Sequence, residues 1–549
     1  MDRRSFIKRA GAAGLLLSAG CSVQRSDKSR PNILLIMADD MGYSDLGCTG
    51  GEIETPNIDR LAREGIMMTR FYNISRCSPT RASLLTGLHP HQAGMGMMTE
   101  GLMYPDSTEI PNYQGYIKKS CATLAEVLQA GGYQTFLSGK WHVGDPEQTR
   151  PDYRGFERSF SLIWGASNYF NLKPFITGNM EIILEKDGEP VRPDKDFYMT
   201  CAITEHALDY LNERDKKKPF FMYLSYTAPH WPLHALPDDI DRYEGKYLDG
   251  WDRVRERRFH RMQEMGLIPE HWKLPPAYKR NELLTPDWDD LDDDEKQTWD
   301  RRMAVYAAMM YRMDAGIGRV LDTLEASDDL DNTLVLFLSD NGACPAALHL
   351  ATAWCAQRGG IIGTEKSFQG YGPAWANVSN TPFRRFKAAT YEGGIMTPLL
   401  IRWPDVVGSG IRDDTPGHII DLFPTLLDAA RVEIPDRFGG SPAQRLEGKS
   451  LLPVLKGESH DVLNERTLYW EHAENCAVRR GKWKLVYERD RGAWELYDMQ
   501  EDGTECHDRA SEFPEIVDSM KKSYFKWADR VGVIRDTDSL ILARNADWF

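Results

Sequence analysis

The sequence predicts an α/β fold: a large, mainly parallel sheet flanked by helices, followed by a smaller C-terminal α+β domain with an antiparallel sheet. Three observations carry this. Short continuous apolar runs recur along the chain, and such runs mark strands buried on both faces. Helical patterns lie between them, and alternation of this kind implies parallel pairing. After Pro453 the character changes to segments that read as antiparallel strands joined by a polar turn.

Taken in order, the first run is Asn32–Ala38, and it ends in Asp39-Asp40-Met41-Gly42. Residues 134–137 lead into Ser138-Gly139-Lys140-Trp141-His142, and residues 220–224 into Ala228-Pro229-His230-Trp231-Pro232. Residues 333–338 lead into Ser339-Asp340-Asn341-Gly342, and residues 399–402 into Trp403-Pro404. Helical patterns close at residues 61–65 after Thr55-Pro56-Asn57, at 123–130 before Gly131-Gly132, and at 202–211. The longest runs over about 295–324, with Met303, Tyr306, Met310, Met313 and Ile317 near helical spacing. The acidic run 288–295 lacks the spacing of a calcium loop and reads as the charged start of that helix. Residues 237–279 read as an insertion over the site, with the basic stretch 253–261 as a solvated face. Beyond Pro453, residues 477–487 and 494–497 supply strands of a sheet of four at most. A helix over 515–531 offers Ile516, Met520, Tyr524, Phe525 and Trp527 for packing.

At 549 residues the chain is long enough for a large core with a satellite domain. Apolar residues make up 42% and charged ones 27%, which excludes a disordered chain. A net charge of −15 excludes bulk attraction to nucleic acid, so an anionic ligand needs a local cluster of cations. The N-terminus reads as an address. Asp2-Arg3-Arg4-Ser5-Phe6-Ile7-Lys8 resembles a twin-arginine export motif, and the apolar stretch 10–20 behind it is too short to span a bilayer. Leu17-Ser18-Ala19-Gly20-Cys21 resembles a lipoprotein cleavage site with Cys21 lipidated, a plain cleaved signal being the alternative. Residues 1–30 are thus expected to export the chain to the periplasm or cell envelope and tether it there. Apart from Cys21 and Cys77, seven of the nine cysteines are widely spaced, with neither a disulfide framework nor a zinc pattern. Cys344 and Cys355 are a candidate pair.

The chemistry concentrates at residues 77–87, Cys-Ser-Pro-Thr-Arg-Ala-Ser-Leu-Leu-Thr-Gly. Pro79 suits the first turn of a helix that Thr86-Gly87 can end. Cys77 then lies at a helix N-terminus, where backbone N–H groups favour negative charge, and Arg81 can return to the same end. Asp39, Asp40, Asp340 and Asn341 form an all-oxygen set at two strand ends, suited to a hard cation. Lys140, His142, His230 and Lys387 are the candidate cations, Lys387 standing just ahead of Glu392-Gly393-Gly394.

The pattern C-x-P-x-R with T-G four residues on resembles the formylglycine signature of the sulfatase family, and every position matches. Lys140 and His142 in Gly-Lys-Trp-His, His230 after Ala-Pro, and Lys387 each match a sulfatase motif. Residues 371–377 leading to 383–387, and residues 228–235, resemble the bacterial arylsulfatase branch. The resemblance covers about residues 31–545. It implies an alkaline-phosphatase-like catalytic domain over 31–460 and a C-terminal α+β subdomain over 461–549. It also implies that a formylglycine-generating maturation enzyme oxidises Cys77 to an aldehyde whose hydrate is the nucleophile. The metal, Ca²⁺ ahead of Mg²⁺, would be held by Asp39, Asp40, Asp340, Asn341 and the modified Cys77. Arg81 and Lys140 would hold the hydrate and a sulfate oxygen, while His230 and Lys387 bind sulfate and support the departing oxygen. Asp340 would take a proton as the hydrate attacks sulfur, and His142 would take the second to expel sulfate. Residues 418–425 match a structural segment of the family. The expected function is hydrolysis of an aryl or carbohydrate sulfate ester. A phosphonate or phosphate ester hydrolase and a non-catalytic lipoprotein binding sulfated glycans stand as alternatives. Trp141, Trp231 and Trp375, with Met95, Met97, Met98 and Met103, belong either to a substrate pocket or to the core.

Overall fold

The computed structural model describes residues 30–99, 110–174, 182–279, 285–347, 360–438, 441–458 and 461–534. The export motif, Cys21, Met103 and the Cys344–Cys355 pairing lie outside them. Eleven strands of the described residues form one sheet. They are β1 (Asn32–Ala38), β2 (Ile66–Tyr72), β3 (Gln134–Lys140), β4 (Arg158–Leu162), β5 (Leu184–Lys186), β6 (Glu189–Pro190), β7 (Phe220–Ser225), β8 (Thr333–Ser339), β9 (Met396–Arg402), β10 (Ile411–Asp413) and β11 (Gly417–His418).

The sheet order is β10-β2-β9-β8-β1-β7-β3-β4-β5-β6, with β11 beside β2. From β8 to β4 every pairing is parallel, as the apolar runs predict. β9 runs antiparallel to both β8 and β2, so the sheet is mixed. An apolar run does not encode its direction. The consequence is that β9 presents its N-terminal end to the site, directly after the Glu392-Gly393-Gly394 turn, and Trp403-Pro404 points away.

The two-residue repeat of β1 divides the core. Ile33, Leu35 and Met37 pack on one face with α2 (Cys77–Thr86), α3 (Leu124–Ala130) and a later helix at Leu422–Ala430. Leu34 and Ile36 pack on the other with α1 (Pro56–Glu64), α4 (Met199–Glu213) and the long helix at Asp293–Ala326. Each such buried side chain stabilises by roughly 1.5–3 kcal/mol. Reciprocal capping boxes start two of these helices. Thr123 pairs with Glu126, and Asp292 pairs with Glu295 at the end of the acidic run. Among the described residues no helix is long and apolar enough to cross a membrane.

The basic stretch departs from its reading as a solvated face. It lies in α5 (Trp251–Glu264), where Arg253, Arg257 and Arg261 are exposed but Arg255 and Arg258 are buried on the apolar stripe. Arg258 binds Asp45 at 2.7 Å and Glu52 at 2.8 Å, bracing the loop that follows β1. Residues 418–425 are held by buried Asp421, which accepts hydrogen bonds from Arg466 and the backbone of His418 and Lys449.

The C-terminal sheet has four antiparallel strands, β12 (Thr467–His472), β13 (Asn475–Arg480), β14 (Trp483–Glu488) and β15 (Ala493–Asp498), in sequence order. The helix Pro514–Val531 covers one face with Met520, Tyr524 and Trp527. The other face joins the main core through Leu468, Trp470 and Val486. Buried polar contacts tie the C-terminal sheet to the main sheet, the Lys484 cluster among them. Lys484 Nζ donates to Glu392 at 2.6 Å and to Glu505 at 2.8 Å, while Tyr72 donates to the other Glu392 oxygen at 2.8 Å. Burial pushes the Glu505 carboxyl up to about 7; Lys484 opposes that shift and neighbouring Glu392 adds to it.

Two predictions follow from these buried charges. Arg258→Ala leaves Asp45 and Glu52 without their cation and should cost about 3–5 kcal/mol in urea unfolding. Glu505 keeps its proton in the fold up to about pH 7, against an ordinary value of 4.5 in the unfolded chain. The native state then binds the extra proton between those values, so stability falls as pH rises through that window and levels above it. Glu505→Gln should flatten that slope in melts taken across the window.

Candidate active site

Four parallel strand ends and one helix start meet at a single buried point. β1 delivers Asp39 and Asp40, β3 delivers Lys140 and then His142, β7 is followed by His230, and β8 delivers Asp340 and Asn341. Open α/β sheets place ligands outside these carboxyl ends. Two positions turn left-handed just beyond their strands, Asp40 (φ 68°) and His142 (φ 56°). Non-glycine residues in that region carry roughly 1–3 kcal/mol of strain, and such strain gathers where side chains must be aimed. Gly139 (φ 121°) lets β3 approach β7 here, since a Cβ would lie 1.8 Å from the Ser225 carbonyl oxygen.

The helix α2 begins at Cys77 and stops at Gly87, which is left-handed and donates its N–H to the Ser83 carbonyl. Every one of its ten residues is buried. Arg81 turns back under the strand ends. Its Nη2 and Nε donate to Asp340 Oδ2 at 2.8 and 3.1 Å, and its Nη1 to Ser225 Oγ at 2.5 Å. Lys140 Nζ donates to Asp39 Oδ2 at 2.7 Å, and Lys387 Nζ to Asp40 Oδ1 at 2.6 Å. Asn341 Nδ2 donates to the same Asp40 oxygen at 2.7 Å. All ten residues singled out from the sequence are thus brought together.

The electrostatics follow from burial and pairing. Burial favours the neutral thiol of Cys77, but Lys140, Lys387 and His142 outweigh it and lower the group to about 6. Burial pushes Asp39 well up, with Asp340 and Asp40 adding to it and Lys140 opposing. Burial would also raise Asp40, yet Lys387 and His230 hold it below the usual carboxylate range. Lys140 and Lys387 are both raised against their burial, chiefly by Asp39 and Asp40 respectively. His230 is lowered well below 6.5 by burial, so its ring is neutral at neutral pH. Its Nδ1 lies 2.6 Å from the Trp231 carbonyl and must donate to it, which turns Nε2 toward Asp40 Oδ2 at 3.4 Å.

The donors present fit a hard divalent cation. Asp39 Oδ1, Asp40 Oδ2 and Asn341 Oδ1 are buried and accept no hydrogen bond from the described residues. Ligand atoms of Asp39, Cys77 and Asp340 lie within 4.8 Å of one another, as do those of Asp39, Asp40 and His230. Oxygen ligands of this kind suit Ca²⁺ or Mg²⁺ better than zinc.

Some supporting residues were not read from the sequence. Ser225 and Tyr223 receive Arg81 Nη1; the signal was a polar residue one place past the apolar run of β7. Asn73 Nδ2 bridges the Ser339 carbonyl and Thr397 Oγ1 at 2.8 and 2.6 Å, locking β8 against β9. It follows β2, a strand with no clear apolar alternation. Trp141, Trp375, Met95 and Met97 are core, whereas Trp231 is only half-buried and flanks Asp40 with Tyr371.

Comparison with known proteins agrees with this geometry. The family model "Sulfatase" matches residues 31–432, and "N-sulphoglucosamine sulphohydrolase, C-terminal" matches residues 384–529. An uncharacterized sulfatase of Schizosaccharomyces pombe is 35% identical over 96% of this chain and 98% of its own. An arylsulfatase of Klebsiella aerogenes is 34% identical over 82% of this chain and 95% of its own. The crystal structure of Ps i-CgsB in complex with k-i-k-neocarrahexaose superimposes with a TM-score of 0.66 at 26% identity. That match covers 91% of this chain and 93% of the other. The chain therefore belongs to the sulfatase family, and it is a sulfuric ester hydrolase with the alkaline-phosphatase-like fold.

Proposed function

We propose that this chain releases inorganic sulfate from an aryl or carbohydrate sulfate ester, using a formylglycine made from Cys77 and a divalent cation, Ca²⁺ ahead of Mg²⁺. The observation that carries the reading is the setting of Cys77, beside the buried carboxylates of Asp39 and Asp340 and facing the buried cations Arg81, Lys140 and Lys387. A formylglycine-generating enzyme is then an obligatory partner. Residues 1–30 support export, with Cys21 as the point of attachment.

Asp39, Asp40, Asp340 and Asn341 would hold the cation, which supplies a grip on a sulfate oxygen and a lower pKa for the oxygen nucleophile at residue 77. The aldehyde supplies a way to shed sulfate that serine or threonine lacks. Lys140 and Lys387 present two ammonium groups to the sulfate oxygens in a dry setting, where they act strongly. Arg81 keeps Asp340 fixed through two hydrogen bonds, and Asp340 takes the first proton. His142, hydrogen-bonded to Cys77, accepts the second. The leaving oxygen draws its proton from Lys387, since the one ring proton of neutral His230 is held by the Trp231 carbonyl. Burial holds His230 neutral, so Lys387 carries the charge that faces the departing group.

Coexpressed with a maturation enzyme, the chain is expected to release sulfate from 4-nitrophenyl sulfate, with an aldehyde in place of the Cys77 thiol by mass spectrometry. Cys77→Ala should abolish turnover, and Lys387→Ala should lower kcat on the order of 10²–10³-fold. Faster turnover of 4-nitrophenyl phosphate than of the sulfate would overturn the choice of ester. Calcium at ~100 times its Kd should add about 2.7 kcal/mol to stability. Asp40→Asn should shrink that gain in thermal melts, and no calcium response in the native chain would remove the cation from the reading.

A further inference from the structure

The short turn Glu392–Ile395 carries none of the catalytic groups, but three segments that do carry them rest on it. Gly342, which follows Asn341, donates its N–H to the Gly394 carbonyl at 3.2 Å. Asn73, four positions before Cys77, donates its N–H to the Ile395 carbonyl at 2.6 Å. Gly393 donates to the carbonyl of Arg384 at 2.9 Å, three positions before Lys387. Lys387 in turn donates its backbone N–H to the Ala343 carbonyl at 3.0 Å. The turn thus meets the loop of Asp340 and Asn341, the approach to Cys77 and the loop of Lys387.

These contacts are too close to slide. A Cβ on Gly342 would lie 1.8 Å from the Gly393 carbonyl oxygen, and one on Gly394 would lie 2.0 Å from that of Ala389. Backbone packed directly on backbone leaves no flexible side chain to absorb a shift. A displacement of the turn is therefore passed on to Lys387 and to the loop after β8.

What fixes the turn comes from the C-terminal sheet. The buried Glu392 side chain accepts from Lys484 on β14 at 2.6 Å and from Tyr72 at 2.8 Å. The Glu392 backbone N–H donates to the Glu505 carboxylate at 2.9 Å, and Lys484 donates to the same carboxylate at 2.8 Å. Arg384 donates to the Glu505 carbonyl at 2.6 Å and to the Tyr497 hydroxyl at 2.9 Å, so the loop of Lys387 is held a second time. Among the described residues, Lys484 is the one cation paired with either carboxylate. Docking of the sheet does not require this cluster, because Leu468, Trp470 and Val486 already pack into the main core. Buried ions add direction where apolar packing adds only adhesion, and here they grip one turn at one place.

We propose that Lys484 and Glu505 are positioning residues for hydrolysis: through the Glu392 turn they align the Lys387 ammonium and the Asp340-Asn341 loop with residue 77. The inference rests on the proposed function, since it concerns the same site.

Steady-state kinetics of the mature full-length enzyme on 4-nitrophenyl sulfate, taken well below each variant's melting temperature, test this. Lys484→Met should lower kcat on the order of 10²-fold with KM within about twofold, because a misplaced Lys387 is felt in the transition state. Glu505→Gln keeps the shape and one acceptor, and should lower kcat about fivefold. It decides alone should Lys484→Met fail to fold. Calorimetry with calcium on the chain before maturation gives a readout apart from turnover. Lys484→Met should weaken calcium about tenfold, and Glu505→Gln about threefold. Folded variants that melt earlier but keep kcat would reduce the cluster to a docking contact and overturn the inference, as would a rise in KM at unchanged kcat. A parent chain that binds calcium but releases no sulfate would count against the proposed function alone, and calcium affinity unchanged in the folded variants would then overturn the positioning. A parent chain with neither property would overturn both.

Discussion

The structure depends on a balance of charge sealed away from water. Asp39, Asp340, Arg81 and Lys140 have no measurable exposure, and Asp40 and Lys387 have almost none. Charges buried this deeply persist only when paired and hydrogen-bonded. The pairing here joins strands far apart in sequence: Lys140 to Asp39, Lys387 to Asp40, and Arg81 to Asp340. The left-handed turns at Asp40 and His142 and the close approach at Gly139 serve that same constraint. If any of the four strand ends moved, a carboxylate would be left in low dielectric without its cation. The oxygens of Asp39, Asp40 and Asn341 that accept nothing are the remainder of this balance, and they define the room for a divalent ion.

Much of this was legible in the sequence. Apolar runs ending in polar residues located four of the strand ends, because a strand buried on both faces admits no polar residue until it leaves the sheet. Pro79 and Gly87 located α2 through backbone chemistry alone. What escaped notice has physical reasons. β2 lies near the edge, carries Thr69 and Arg70, and shifts register between Met68 and Phe71, so its pattern is broken. β12 alternates Leu468 and Trp470 with Tyr469 and Glu471, and the aromatic residues on both faces blur the alternation. Arg258 looked solvated because a basic run seldom buries one member. Its carboxylate partners, Asp45 and Glu52, lie more than two hundred positions away. Partners so distant leave no local trace.

The C-terminal sheet is more than an appendage. Lys484 reaches into the main domain and holds Glu392, which opens the short turn before β9, while Tyr72 at the end of β2 holds the same carboxylate. Lys387 stands five positions before Glu392, so the placement of one active-site cation rests partly on a residue contributed by the second sheet. Trp470, donating to the Asn73 carbonyl, repeats the arrangement on the neighbouring strand.

The complete burial of α2 also sets a clock. Arg81, one turn on from Cys77, is held by Asp340, and that acceptor lies 259 positions further along the chain. At about 5–20 residues per second of synthesis, the motif is made roughly 13–50 seconds before its acceptor exists. Throughout that interval Arg81 lacks the carboxylate that fixes it, whereas in the finished fold Cys77 is only 1% exposed. A protein that alters Cys77 would meet a different surface before and after residue 340 is made, so its yield would depend on the rates of translation and folding.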